Sequence, residues 1–104
     1  MKMLRITLSI GFNDKVSGKQ EISTAEAIKT CASILCDYVD GATIYSTTGI
    51  FRHENGMQVT EEGIRIECFE PDKNMLRKAC AIIKEKLNQE AIYWTEEQIF
   101  SEMV

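Results

Sequence analysis

Asn55-Gly56 restricts this chain more than any other dipeptide in it. A two-residue type I′ hairpin turn needs positive φ at both central positions, and Asn-Gly reaches that conformation at least cost. Residues 42–53, just before it, are mostly β-branched or aromatic: Thr43, Ile44, Tyr45, Thr47, Thr48, Ile50 and Phe51. That composition suits a pleated, half-buried strand. The stretch after the turn runs to about Phe69, with Ile64, Ile66 and Cys68 in one phase and Arg65 and Glu67 in the other. The sequence therefore predicts a central β-hairpin, with Gly63 marking a bulge in its return strand.

The flanks supply what would cover such a hairpin. Residues 3–11 alternate, with Leu4, Ile6, Leu8 and Ile10 on one face and Arg5, Thr7 and Ser9 on the other, the period of a half-buried strand. A polar stretch to Gln20 reads as a loop. Ser23-Thr24-Ala25-Glu26 is a capping-box sequence, and Ile28, Cys31, Ala32, Leu35 and Val39 then fall on one helical stripe that Gly41 should stop. Pro71 suits the first turn of a second helix. Its apolar stripe is Met75, Leu76, Ala79, Ile82 or Ile83, and Leu87. Ala91–Trp94 reads as a short last strand. Thr95–Val104 is open: Thr95-Glu96-Glu97-Gln98 could cap a short helix burying Ile99, Phe100 and Met103, or turn into another strand.

The order β-α-β-β-α-β predicts an α+β, ferredoxin-like sandwich: one four-stranded antiparallel sheet with two helices on one face, plus the C-terminal tail. At 104 residues the chain fits one domain over residues 1–104. No apolar run approaches the roughly 18 residues of a membrane helix. The opening MKMLRITLSIGFNDK reads as a strand and not as a signal peptide, so a cytoplasmic protein without a membrane partner is expected.

The formal net charge of −4 equals that of the segment from Glu90 to Val104, which holds Glu90, Glu96, Glu97 and Glu102 and no Lys or Arg. This acidic tail, with Ile99, Phe100, Met103 and Val104, is where a second subunit or another partner is expected. The one local basic excess is on the second helix, at Lys73, Arg77, Lys78, Lys84 and Lys86, and reads as a solvated face. With this balance, direct nucleic-acid binding is not expected.

Cys31, Cys36, Cys68 and Cys80 form no C-x-x-C pair. Core packing of reduced thiols is the expectation, with no metal and no cofactor. The single histidine, His53, lies beside the predicted turn with no evident nucleophile or carboxylate dyad, so no catalytic residue is assigned.

A two-layer sandwich leaves one sheet face open. The residues expected there are Arg5, Thr7, Ser9, Arg65 and Glu67, with Tyr45 and Thr47 from the second strand and Tyr93 or Trp94 from the last. Aromatic rings, hydroxyls and two guanidinium groups on one surface could stack a base and hold a phosphate, or pair with a second copy. The candidate ligand- or partner-binding residues are Arg5, Thr7, Tyr45, Thr47, His53, Arg65, Glu67 and Tyr93.

MLRITLSIGFNDK, ATIYSTTGIFRHENG and GIRIECFE resemble small uncharacterised proteins of Gram-positive bacteria and their phages, over about residues 3–90. A hairpin of the form I-Y-x-x-x-G-I-[FY]-x-H-E-[DN]-G recurs in them, matched here at Tyr45, Gly49, Phe51, His53, Glu54, Asn55 and Gly56. The resemblance implies a mobile-element protein of ferredoxin-like architecture, and by analogy a host-defence antagonist that binds a protein effector or a nucleotide signal. The leading expectation is thus a non-enzymatic homodimeric binding protein. The alternatives are a small dimeric enzyme using Tyr45, His53 and Arg65 at the sheet, and a regulatory ligand-binding module.

Overall fold

The computed structural model describes all 104 residues. Six elements follow in order: β1 (Lys2–Gly11), α1 (Thr24–Cys36), β2 (Thr43–Arg52), β3 (Gln58–Phe69), α2 (Lys73–Lys86) and β4 (Tyr93–Phe100). The strands form one antiparallel sheet in the order β2-β3-β1-β4. Both helices lie on one face of it, which makes the ferredoxin-like sandwich expected from the sequence.

The alternation in β1 decides where the core sits. Ile6, Leu8 and Ile10 face the helices and are paired in register with Cys68, Ile66 and Ile64 of β3. Against them pack Ala27, Cys31 and Leu35 of α1 and Leu76, Ala79 and Ile83 of α2. Leu87 and Phe12 belong to the same buried cluster. Each large side chain removed from water here is worth roughly 1.5–3 kcal/mol. Of the Ile82/Ile83 pair, Ile83 is the fully buried member. Cys31 and Cys68 are buried and Cys80 is half-buried, but Cys36 is exposed, outside the core the thiols were expected to share.

Several local expectations are corrected. The Ser23 hydroxyl accepts from the Glu26 amide at 3.2 Å, so half of the capping box forms; exposed Glu26 does not reach back. α1 ends at Cys36, well before Gly41, because the Asp37, Tyr38 and Val39 amides fold back onto the Ile34 and Leu35 carbonyls. Pro71 lies outside α2. The N-cap is Asp72, whose carboxylate accepts from the Met75 amide at 3.0 Å.

The hairpin turn is also of another kind. Only Gly56 has positive φ, at 86°, so the turn is not type I′. His53 and Met57 close a three-residue loop: the His53 carbonyl accepts from the Gly56 amide and the His53 amide donates to the Met57 carbonyl, each at 2.9 Å. Such a loop is a type I turn followed by one left-handed residue, and Gly56 takes that place. The Asn55 side chain accepts from the Met57 amide at 2.9 Å, which favours Asn in the turn without requiring left-handed backbone.

Gly63 is not a bulge, since pairing runs through it without a break, to Thr47 on β2 and Gly11 on β1. What it provides is close approach: a Cβ at this position would overlap the Ile10 carbonyl oxygen.

The C-terminal tail is strand. β4 continues without interruption to Phe100, paired with β1 from Lys2↔Phe100 to Ser9↔Tyr93. The alternative helix would have buried Phe100 and Met103, which are 74% and 102% exposed. The acidic segment is moreover not a free arm. Glu97 forms an ion pair with Arg5, and Glu96 accepts from Lys73 at 2.9 Å and from the Trp94 indole at 2.9 Å. These bonds, the Lys73 one foremost, hold the Glu96 carboxyl below its ordinary range. Met103 and Val104 remain uncovered.

The loop between β1 and α1 is tied to the end of α2. Asn88 takes a left-handed φ of 48°, and its amide and that of Gln89 donate to the Glu85 and Lys84 carbonyls, closing the helix. The Asn88 side chain donates to Asp14 at 2.7 Å, and buried Gln89 donates to the Asn13 carbonyl at 3.0 Å. No helix is long and apolar enough to cross a membrane.

Candidate functional site on the open sheet face

Side chains alternate across a pleated sheet, so the register decides which residues share the uncovered face. One row crosses all four strands as Tyr45, Arg65, Ser9 and Tyr93. The row beside it is Thr43, Glu67, Thr7 and Thr95. On the other side of the Arg65 row stand Thr47, Gly63 and Gly11, where two glycines leave the sheet without side chains. The result is a shallow depression of about 220 Å³ with backbone for a floor. Arg65 and Tyr93 line one side and Glu61 the other. The Glu61 carboxylate lies over Gly11 and is held by the Asn13 amide at 2.8 Å.

The structure thus brings Tyr45, Thr47, Arg65, Tyr93, Thr7 and Glu67 onto one surface, and places Arg5 one row further along, opposite Phe69 and Glu97. Of the two alternatives on the last strand, Tyr93 faces out. Trp94 pairs with Leu8 on the helix side, where the Arg77 guanidinium sits 4.4 Å from its ring centroid. The two guanidinium groups expected on this face are not equivalent. Arg5 is engaged by Glu97, whose hydrogen bond raises its pKa above the ordinary value. Arg65 forms no ion pair, which leaves it as the cation free to meet a ligand. The Tyr45 hydroxyl is 3.4 Å from Glu67, a long hydrogen bond that a ligand could replace.

His53 does not join this group. It follows the end of β2, eight residues beyond Tyr45, or roughly 27 Å at 3.4 Å per residue. Its ring packs edge-on to Phe51 at 5.4 Å and it is exposed. No three His, Cys, Asp or Glu side chains converge in a way that could hold a metal ion. What sequence reasoning missed is the depression itself with its Glu61 wall. Gly11 and Gly63 were visible as glycines, but their pairing depends on a register of long-range strands.

No protein-family model matches the chain, and no curated protein matches it in sequence. Solved structures do match in fold. A phage SAM lyase in its apo state superposes with a TM-score of 0.67 at 15% identity, covering 99% of this chain and 93% of that one. The same enzyme class in complex with S-methyl-5′-thioadenosine gives 0.64 at 13% identity, covering 98% and 92%. The divalent cation tolerance protein CutA of Archaeoglobus fulgidus gives 0.60 at 10% identity, covering 99% and 88%. The Bacillus subtilis GlnK–ATP complex gives 0.56 at 11% identity, covering 92% and 82%. At these identities the likeness is one of fold: the chain shares the ferredoxin-like architecture of CutA and GlnK, and a phage protein is among its structural neighbours.

Proposed function

We propose that this chain is a small binding protein of phage or mobile-element type that antagonises a host defence by sequestering an adenosine-type nucleotide signal on its open sheet face. The observation that carries the reading is the Tyr45–Arg65–Ser9–Tyr93 row beside a glycine-floored depression. A ring can stack on Tyr45 or Tyr93, an anionic group can meet the unpaired Arg65, and ribose hydroxyls can reach Ser9 and Glu61. Two of the fold neighbours support the choice of ligand class, since their structures hold S-methyl-5′-thioadenosine and ATP.

The same proposal includes self-association in a cytoplasmic setting. β2 is an edge strand of ten residues whose only charge is Arg52 and which contains no proline. Such an edge is a template for another strand, and Ile50 is 67% exposed on it. We assign a second copy of the chain to this edge. Binding of a host protein effector in place of a nucleotide is the competing form of the antagonist reading. A small enzyme is the second reading, and the observation that favours it is that a fold neighbour is a lyase.

The test is thermal stabilisation by a panel of S-methyl-5′-thioadenosine, S-adenosylmethionine, AMP and ATP, with mass spectrometry of the supernatant. A ligand at about 100 times its dissociation constant adds roughly 2.7 kcal/mol, or roughly 10–20 °C in Tm. Stabilisation that Arg65→Gln abolishes, with the ligand recovered intact, supports sequestration. Turnover of the ligand favours the enzyme reading. No response to any member, with a host protein captured instead, overturns the nucleotide reading.

A further inference from the structure

The basic face of α2 is not evenly solvated. Arg77, Cys80, Ala81 and Lys84 lie on one side of the helix, at positions i, i+3, i+4 and i+7, and with Ile92 and Trp94 they line a cleft of about 240 Å³ between α2 and β4. This cleft is on the helix side of the sheet, opposite the face that carries the proposed nucleotide site. Its floor is apolar and its rim holds two cations. The Arg77 guanidinium lies over the Trp94 ring, 4.4 Å from its centroid, a cation–π contact that holds it at the cleft. Neither Arg77 nor Lys84 forms an ion pair. The Glu96 carboxylate acts on Arg77 through its charge, but its hydrogen bonds go to Lys73 and to the Trp94 indole. The rim therefore carries two cations, and the Glu96 carboxylate is already bonded to Lys73 and the indole and forms no ion pair with either.

We propose that this cleft is a second ligand site, for a small organic anion: a phosphate or carboxylate group held between Arg77 and Lys84, with a compact flat apolar body resting on Ala81, Cys80 and Ile92. The volume sets the size, since it falls just below the roughly 300–1,000 Å³ of drug-sized pockets. The face of Trp94 is already covered by Arg77, so the ligand body meets the ring at its edge and the aliphatic floor beneath.

Trp94 is the only tryptophan in the chain, so its fluorescence reports on this cleft alone. The probes are phenyl phosphate, benzoate and inorganic phosphate, titrated to about ten times a millimolar dissociation constant. The expected result is a saturable change with phenyl phosphate or benzoate, the stronger of the two identifying the anionic group. Lys84→Gln and Arg77→Gln should each weaken binding about fivefold, with Lys78→Gln unchanged. Lys84→Gln is the decisive variant because Lys84 does not touch the indole stack. No saturable change with any aryl anion overturns the proposal, as does binding that Lys84→Gln leaves intact. A response to inorganic phosphate as strong as that to phenyl phosphate overturns the apolar half of the site.

Discussion

Replacing Gly63 with alanine should be among the most damaging one-methyl changes in the protein. Gly63 lies where β3 crosses between β2 and β1, and the added Cβ would overlap the Ile10 carbonyl oxygen and lie 3.2 Å from the Gly11 Cα. These are backbone atoms and cannot rotate aside, so β1 must shift away from β3. The shift strains the hydrogen bond from the Phe12 amide to the Glu62 carbonyl, 2.9 Å in the native chain, and loosens Ile10 and Phe12, both buried. Overpacking of this kind costs about 1–3 kcal/mol and a weakened hydrogen bond about 1 more. Alanine recovers about 0.5–1 kcal/mol through its lower unfolded-state entropy, so the net loss is about 1–3.5 kcal/mol. That is a large part of the roughly 5–15 kcal/mol that holds a domain folded. Urea denaturation should show the midpoint falling by about 1–2 M at unchanged slope. The control is Gly11→Ala, whose Cβ meets first the movable Glu61 carboxylate and not backbone. Swinging that group away forfeits the bond from the Asn13 amide, about 1 kcal/mol before the same entropic recovery. A Gly63→Ala midpoint equal to wild type, or equal losses for the two variants, would refute the reasoning.

Other consequences can be checked in the same way. In the folded protein near neutral pH, iodoacetamide should label Cys36 first, because burial pushes the Cys31 and Cys80 thiols up to about 11 and raises that of Cys68 as well. Peptide mapping should find all four labelled only in denaturant. Asp14 and Glu96 have folded-state carboxyl pKa values lowered from 3.8 and 4.5, through the Asn88 and Lys73 hydrogen bonds respectively. Their stabilisation is therefore complete above those ordinary values and lost as pH falls through the lowered ones. Asp14→Asn should flatten the acid limb of a Tm-against-pH curve. Light scattering should find the full chain self-associated and a Thr48→Lys, Ile50→Lys double variant shifted toward monomer; a monomeric wild type would refute use of the β2 edge. Truncation after residue 95 should unfold the protein instead of only separating subunits, because it removes most of a strand paired along its whole length with β1.

The fold was readable wherever one periodicity dominated. β1 and the second half of β3 alternate because one face of each is wholly covered by helices, and α1 and α2 carry stripes because each has one buried side. β4 was unreadable for the opposite reason. Its helix-side positions beyond Trp94 are Glu96, Gln98 and Phe100, all exposed, since α2 covers the edge of the sheet only near Trp94. An uncovered edge strand keeps no alternation, and Glu96 earns its place by bonding Lys73 across the gap. The Asn-Gly turn was located correctly but its class was not, because Asn55 favours the turn through its side chain and not through left-handed backbone. At the candidate site, alternation placed Arg65, Glu67 and Tyr45 on the open face. The depression needs a register among β2, β3 and β1, in which Gly63 meets Thr47 and Gly11, and no local pattern encodes that.

The place of β1 in the middle of the sheet has a consequence for synthesis on the ribosome. The first strand to emerge is the one that every completed arrangement needs on both of its sides: β3 along one and β4 along the other. Its two backbone edges therefore stay unpaired until residues 63–69 are made, and one of them until residues 93–100 follow. At about 5–20 residues per second this wait lasts roughly 5–18 seconds. During that interval the nascent chain displays a sticky, strand-prone segment with two bare edges, and folding can only finish late and all at once. Crowding of several such chains on one message would bring like segments together before any sheet exists, so translation rate, more than final stability, should govern how much of this protein is recovered in native form.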